Sequence, residues 1–165
     1  MLKSGAKISH FIMKSNVKKA NLFSNSKIRK INPNWFTNKV HMAEISNIIN
    51  QNIYHVYFEN GAKTKVHIHN GNQILIVTKG KGVLETFSKK GNKKDHFGIK
   101  RIQRIGLNLG DVIYIQKGTL HTHGSVNKKR LFSHIAINIL PAKNKEYKTT
   151  WYESDFKTLA SGIIR

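Results

Sequence analysis

Between Ile53 and Ile139 the chain reads as short apolar runs separated by glycine and asparagine. That punctuation restricts what it can fold into. The runs are Ile53–Glu59, Thr64–His69, Gln73–Thr78, Gly82–Phe87, Gly106–Leu109, Val112–Ile115 and Leu131–Ile139, rich in Val, Ile, Tyr and Phe. The breaks are Asn60-Gly61, Asn70-Gly71, Gly80-Lys81-Gly82, Gly110 and Lys117-Gly118. Asn-Gly pairs suit tight turns because both residues tolerate positive φ. Strands spaced this closely predict an antiparallel sandwich or barrel. The two prolines, Pro33 and Pro141, flank the block. Helix signals are thin: Val40–Asn50 is expected to form a short helical turn, and Ser154 to cap a helix over Asp155–Ala160. Residues 88–100 form a polar insert, expected as a solvated hairpin extension.

At 165 residues the chain suits one domain with a real core. It has no cysteine, which excludes disulfides, thiolate metal sites and cysteine nucleophiles. No apolar run approaches the roughly 18 residues of a membrane-spanning helix. The formal net charge of +21 is unevenly spread. Residues 1–43 contain no acidic residue, and Asp95 is the single acid within 88–108. Such a field favours anionic partners. Nucleic acid is the less favoured of these, because no stretch interleaves a basic stripe with aromatics. Residues 1–33 read as a basic N-terminal arm, flexible or a targeting segment. Its first 30 residues partly resemble an organelle transit segment, although Arg29 is their only arginine. Without such a segment the default compartment is cytoplasmic.

The chemistry-bearing residues are histidines. His10, His41 and His96 stand in polar or basic surroundings and are expected at the surface. His67-Ile68-His69 lies on a predicted strand, so both imidazoles share one face about 6.5–7 Å apart. Gln73 follows across the Asn70-Gly71 turn and offers an amide. His121 follows the Lys117-Gly118 turn, and His123 shares its strand parity. On the last long strand His134, Ala136 and Asn138 share a face opposite Ile135, Ile137 and Ile139. Tyr54, Val56 and Phe58 share a face upstream.

Taken together, Gly61, His67, His69, Gln73 and Gly80 match the spacing of the first motif of the cupin superfamily, with Gln in place of Glu. Gly110, Gln116, Gly118, His121 and Ser125 resemble its second motif, without the usual Pro and Asn. Residues 73–82, Gly110-Asp-Val-Ile-Tyr-Ile115, His121-Thr-His123-Gly124 and His134-Ile-Ala-Ile-Asn138 look like one subgroup, the small bacterial manganese cupins, some of which are hydroxynitrile lyases. Asn34-Trp35-Phe36-Thr37 and Trp151-Tyr152-Glu153 extend the likeness. It implies an all-β fold, a single antiparallel β-barrel of jelly-roll type over residues 34–165 with minor marginal helices. It also implies a metal held by His67, His69, Gln73 and His121, and a general base at His134.

Imidazole donors suit several transition metals, with Mn(II) or Fe(II) favoured by the resemblance. An amide in place of a carboxylate leaves the ion's charge uncompensated, which favours anionic small-molecule ligands and Lewis-acid chemistry. The expected function is therefore a metal-dependent enzyme of lyase type, hydroxynitrile-lyase-like, with His134 and His123 moving the proton. Tyr54, Val56, Phe58 and Asn138 are expected to shape the substrate pocket. Two alternatives stand beside it: an Fe(II) dioxygenase, and a non-enzymatic ligand-binding or sensor barrel whose basic arm meets anionic partners. The resemblance also implies a homodimer.

Overall fold

In the computed structural model the described residues are 22, 28–48, 51–142 and 145–165. Most of the basic arm, including His10 and the transit-like residues, lies outside them. Eleven strands follow one three-residue 3-10 helix, Pro33–Trp35. They are β1 (Val40–Ile48), β2 (Gln51–Phe58), β3 (Val66–His69), β4 (Asn72–Lys79), β5 (Lys81–Lys90), β6 (Phe97–Asn108), β7 (Val112–Ile115), β8 (Leu120–Ser125), β9 (Phe132–Ile139), β10 (Thr149–Ser154) and β11 (Leu159–Ile164). A five-stranded sheet runs β1-β2-β9-β4-β7, and β10-β11-β6-β5-β8-β3 close into a barrel. Strand pairs are antiparallel, as the turn chemistry requires. The all-β jelly-roll expectation holds. No helix among the described residues is long and apolar enough to cross a membrane.

Both helix expectations fail. Val40–Ile48 is an edge strand, paired with β2 from Val40↔Phe58 to Ile48↔Gln51. Its backbone groups are satisfied by a neighbouring strand 3 to 18 residues away, which outweighs a weak local helical preference. At the other end, the Asp155 carboxylate accepts from the backbone N–H groups of Lys157, Thr158 and Leu159, as a helix cap would. Phe156, however, takes φ 60°, which a helix cannot contain, and the chain turns back into β11. The 88–100 insert is a hairpin, but not a wholly solvated one. Phe97 and Ile99 alternate inward onto Val66, Phe87, Leu120, Tyr152 and Ala160, and the Lys89 ammonium sits over the Phe97 ring.

The turns behave as their residues demand. Asn60 and Gly61 both have positive φ, and Ala62 N donates to Glu59 O across them. At Gly80, φ is 75° and an added Cβ would stand 2.3 Å from Leu131 O, so no other residue fits there without movement. The Asn60-Gly61 turn joins β2 to β3, and the Gly80 turn joins β4 to β5. Which way the histidines of β3 and β8 face is set by their pairing with each other and with β10 and β5.

Candidate metal centre and its cavity

Alternation along β3 sends His67 and His69 to one side and Val66 and Ile68 to the other. His121 is the direct cross-strand partner of His67. All three imidazoles are buried, and their ligand atoms lie within 4.8 Å of one another. Each ring is oriented by its Nδ1. His67 Nδ1 is 2.8 Å from Lys65 O, His121 Nδ1 is 2.9 Å from Thr119 O, and His69 Nδ1 is 2.9 Å from Thr149 Oγ1. A backbone carbonyl can only accept, so His67 and His121 carry their proton on Nδ1 and leave Nε2 as a lone pair. Burial keeps the cluster neutral. It pushes His69 down to about 3 and His121 to about 4, and His67 well below its ordinary value, with neighbouring imidazoles adding to the effect at His67 and His69. Trp151 stacks on His67, with ring centroids 4.3 Å apart, and Trp35 stacks on Trp151. Both indoles thus brace the cluster.

Gln73 enters from the facing sheet. Its Nε2 donates to Asn138 Oδ1 at 2.9 Å, its direct partner on β9, and its carbonyl Oε1 has no partner. Asn138, expected as a pocket residue, therefore orients the Gln73 amide. His134 Nε2 lies 3.3 Å from His123 Nδ1, and both rings are buried. Burial lowers His134 to about 3 and His123 well below its ordinary value, so both are neutral near pH 7.

A cavity of about 700 Å³ joins these groups between the two sheets. His67, His69, Gln73, His123, His134 and Asn138 line it, as do Tyr54, Val56 and Phe58. His121 lies behind the lining, fully buried. Every residue singled out for the site is thus in or against this cavity. His41 is partly exposed beside Glu59 and His96 is exposed, as expected.

Among the described residues, the buried side-chain polar atoms without a hydrogen-bond partner are concentrated here. They are His69 Nε2, His121 Nε2, Gln73 Oε1, His134 Nδ1, Trp35 Nε1 and Tyr147 Oη, with Ser154 Oγ the exception elsewhere. Buried polar atoms are normally paired, so a cluster of orphans marks a place where something else binds. Imidazole lone pairs and an amide oxygen are ordinary donors to a divalent transition ion, and the residues present fit one.

Three side chains of the site, Tyr147, Thr149 and Arg29, escaped the sequence reading. Tyr147, in the segment between β9 and β10, lines the cavity with its ring 5.1 Å from that of His69. Asn70 clamps this segment through Glu146 O and Lys148 N, and Gly71 leaves room for the ring. Thr149 holds His69. Arg29 reaches across the cavity rim to Tyr54 Oη at 2.6 Å. His55, on the opposite face of β2, is buried and bonds to Thr78 Oγ1 and Tyr57 Oη, away from the cavity. None of these has a motif around it. Only the isolation of Arg29 among lysines was visible in the sequence.

Known proteins bear this arrangement out at the level of family and fold. The family model described as Cupin matches residues 20–161. A cupin-like protein from Thermotoga maritima is 28% identical, with a TM-score of 0.58, covering 81% of this chain and 90% of its own. A predicted oxalate decarboxylase from Thermotoga maritima shares the fold at 17% identity and TM-score 0.55, covering 74% of this chain and 99% of its own. KdgF from Halomonas sp. does so at 15% identity and TM-score 0.53, covering 76% of this chain and 97% of its own. No curated protein matches the chain.

Proposed function

The chain belongs to the cupin family, and from that premise we propose that it is a metal-dependent enzyme acting on a small organic anion by lyase-type chemistry. The observation that carries this reading is the cluster of His67, His69 and His121, in which the Nε2 atoms of His69 and His121 and the Gln73 carbonyl have no partner among the described residues, set against a cavity that also holds the His134–His123 pair. His67, His69, His121 and Gln73 would hold the ion, with Mn(II) or Fe(II) the expected metals. When bound there, a divalent ion supplies Lewis acidity toward a substrate oxygen.

The proton work falls to His134. Its imidazole is neutral and is bonded to His123. Burial makes it a poor proton acceptor. An anion entering that cavity raises its proton affinity, because opposite charge stabilises imidazolium. In this scheme His134 takes the proton of a substrate hydroxyl. The adjacent carbon–carbon bond then breaks, its electrons leave with the departing carbon, and a carbonyl forms. With a cyanohydrin that carries an anionic group elsewhere, the departing group is cyanide. Phe58 and Phe132 pack against His134 and keep water from the imidazole.

The test is metal analysis of the purified chain beside the His67→Ala/His121→Ala double variant. About one Mn or Fe per chain, absent from the variant, is the expected result for a site of this ligand count. Cyanohydrin cleavage and O₂ uptake are then assayed on the loaded protein. O₂ consumption without cleavage would transfer the reading to the dioxygenase alternative. No metal uptake from Mn, Fe, Ni, Cu or Zn would end it.

A further inference from the structure

Arg29 presents a cation to the cavity without a carboxylate of its own. Its Nη1–H donates to Tyr54 Oη at 2.6 Å, and its guanidinium carbon lies 5.4 Å from the centre of the Tyr54 ring. Tyr54 is itself buried and lines the cavity, two residues along β2 from Val56. The backbone holds the same place: Arg29 N donates to Met42 O, and Ile28 bridges Ala43 on β1. All eight acidic residues of the chain are among the described residues. Arg29 forms an ion pair with none of them, although Glu44 is close enough to act on Tyr54. Arg101 and Arg104, by contrast, share Glu85. A guanidinium carries five N–H donors in a planar fork that matches two oxygens at once. Tyr54 occupies one of them. Arg29 lines the same cavity as His67, His69 and His134.

We propose that Arg29, seated on Tyr54, is the binding site for a substrate carboxylate, and that the substrate is a carboxylic acid whose reacting end lies toward His67, His69 and His134. This rests on the reading of the cavity as a substrate site and names the class of anion it takes. The charge balance favours a singly charged carboxylate over a phosphate. Arg29, Lys30 and Lys145 line the rim, but so do Glu44 and Glu146, which leaves little net positive charge for a dianion. Arg29 is exposed and outside the core, so its loss removes a recognition group without opening a void.

The experiment is calorimetric titration of the full-length, metal-loaded protein at low ionic strength. The probes are glycolate, lactate, succinate and benzoate, each beside its amide, and inorganic phosphate. Wild type is compared with Arg29→Ala, Arg29→Lys and Tyr54→Phe, with metal content and melting temperature measured on every sample. At least one acid is expected to bind in preference to its amide. Arg29→Ala should weaken that binding on the order of tenfold to hundredfold, the worth of a charge-assisted pair. Arg29→Lys should restore only part of it, because an ammonium lacks the fork. Metal content should not change. Equal binding of acid and amide, no effect of Arg29→Ala, no binding of any acid, or Arg29-dependent phosphate binding tighter than that of the acids would each overturn the assignment. The two readings fail separately. Metal uptake with acid binding indifferent to Arg29 removes this proposal alone. Arg29-dependent acid binding in a chain that takes up no metal removes the metal centre alone.

Discussion

Strands β3 and β8 have two faces, and the two could hardly differ more. On one, Val66, Leu120, Phe87, Phe97, Ile99, Tyr152 and Ala160 pack as an apolar cluster. On the other, one residue along, stand His67, His69, His121 and His123, with the buried Nε2 atoms of His69 and His121 unpartnered among the described residues. The backbone is shared, so any difference in behaviour comes from the side chains. The first face contributes to stability by removing apolar area from water. The second gives up stability by burying polar atoms without partners. A fold carries such a face when its use requires donors without partners. The comparison therefore predicts that changes on the two faces separate cleanly into loss of stability and loss of ligand.

Acid should strike the histidine face hardest. In the metal-free chain burial holds His69 at about 3, His121 at about 4 and His134 at about 3, whereas unfolded imidazoles titrate near 6.5. Between those values the unfolded chain binds more protons, so stability falls as pH drops below 6.5 and continues to fall toward 3. Several such groups together exceed the marginal stability of a domain. The metal-free protein should unfold above pH 4 with uptake of more than one proton, read from melting temperature against pH. A flat profile from 7 to 4 would show that these imidazoles are not buried neutral.

Next is the apolar face. Phe97→Ala removes the ring that meets Tyr152 edge-on, and should cost about 3–5 kcal/mol in urea unfolding. Metal stoichiometry should be unchanged. If the metal is lost along with stability, the two faces are not independent. Thr149→Val should show the reverse. It deletes the hydrogen-bond partner of His69 Nδ1 and should weaken metal binding by about 10- to 100-fold, with little change in the melting temperature of the metal-free chain.

The smallest effect has the opposite sign. Burial pushes the Tyr147 hydroxyl well above its ordinary value, and that hydroxyl has no partner. Tyr147→Phe should therefore stabilise the metal-free protein, by about 1 kcal/mol. Destabilisation by a similar amount would mean that the hydroxyl has a partner after all.

These contrasts also show what was legible in the chain. His67, His69, Gln73 and His121 could be read because each lies a fixed few residues from a turn, and a turn fixes register. The faces of β2 and β9 followed from alternation, which placed Tyr54, Val56, Phe58, His134 and Asn138 on the cavity wall together. Tyr147 and Thr149 had no such anchor. Their positions depend on Asn70 clamping a segment 76 to 78 residues away. The strand at Val40–Ile48 was missed for the same reason, since its evidence is its pairing with β2.

The sequence by itself therefore determined the class of fold, the parity of every motif histidine and the absence of thiolate from the site. Those properties depend on period-two alternation, glycine and asparagine at turns, and composition, all of which act over a few residues. Tertiary structure alone decided that Asn138 turns the Gln73 carbonyl free, that Thr149 orients His69, and that Arg29 reaches Tyr54 from 25 residues away. Each of these is a single hydrogen bond between segments distant in the chain. Its geometry exists only after the sheets have packed, so no local pattern announces it.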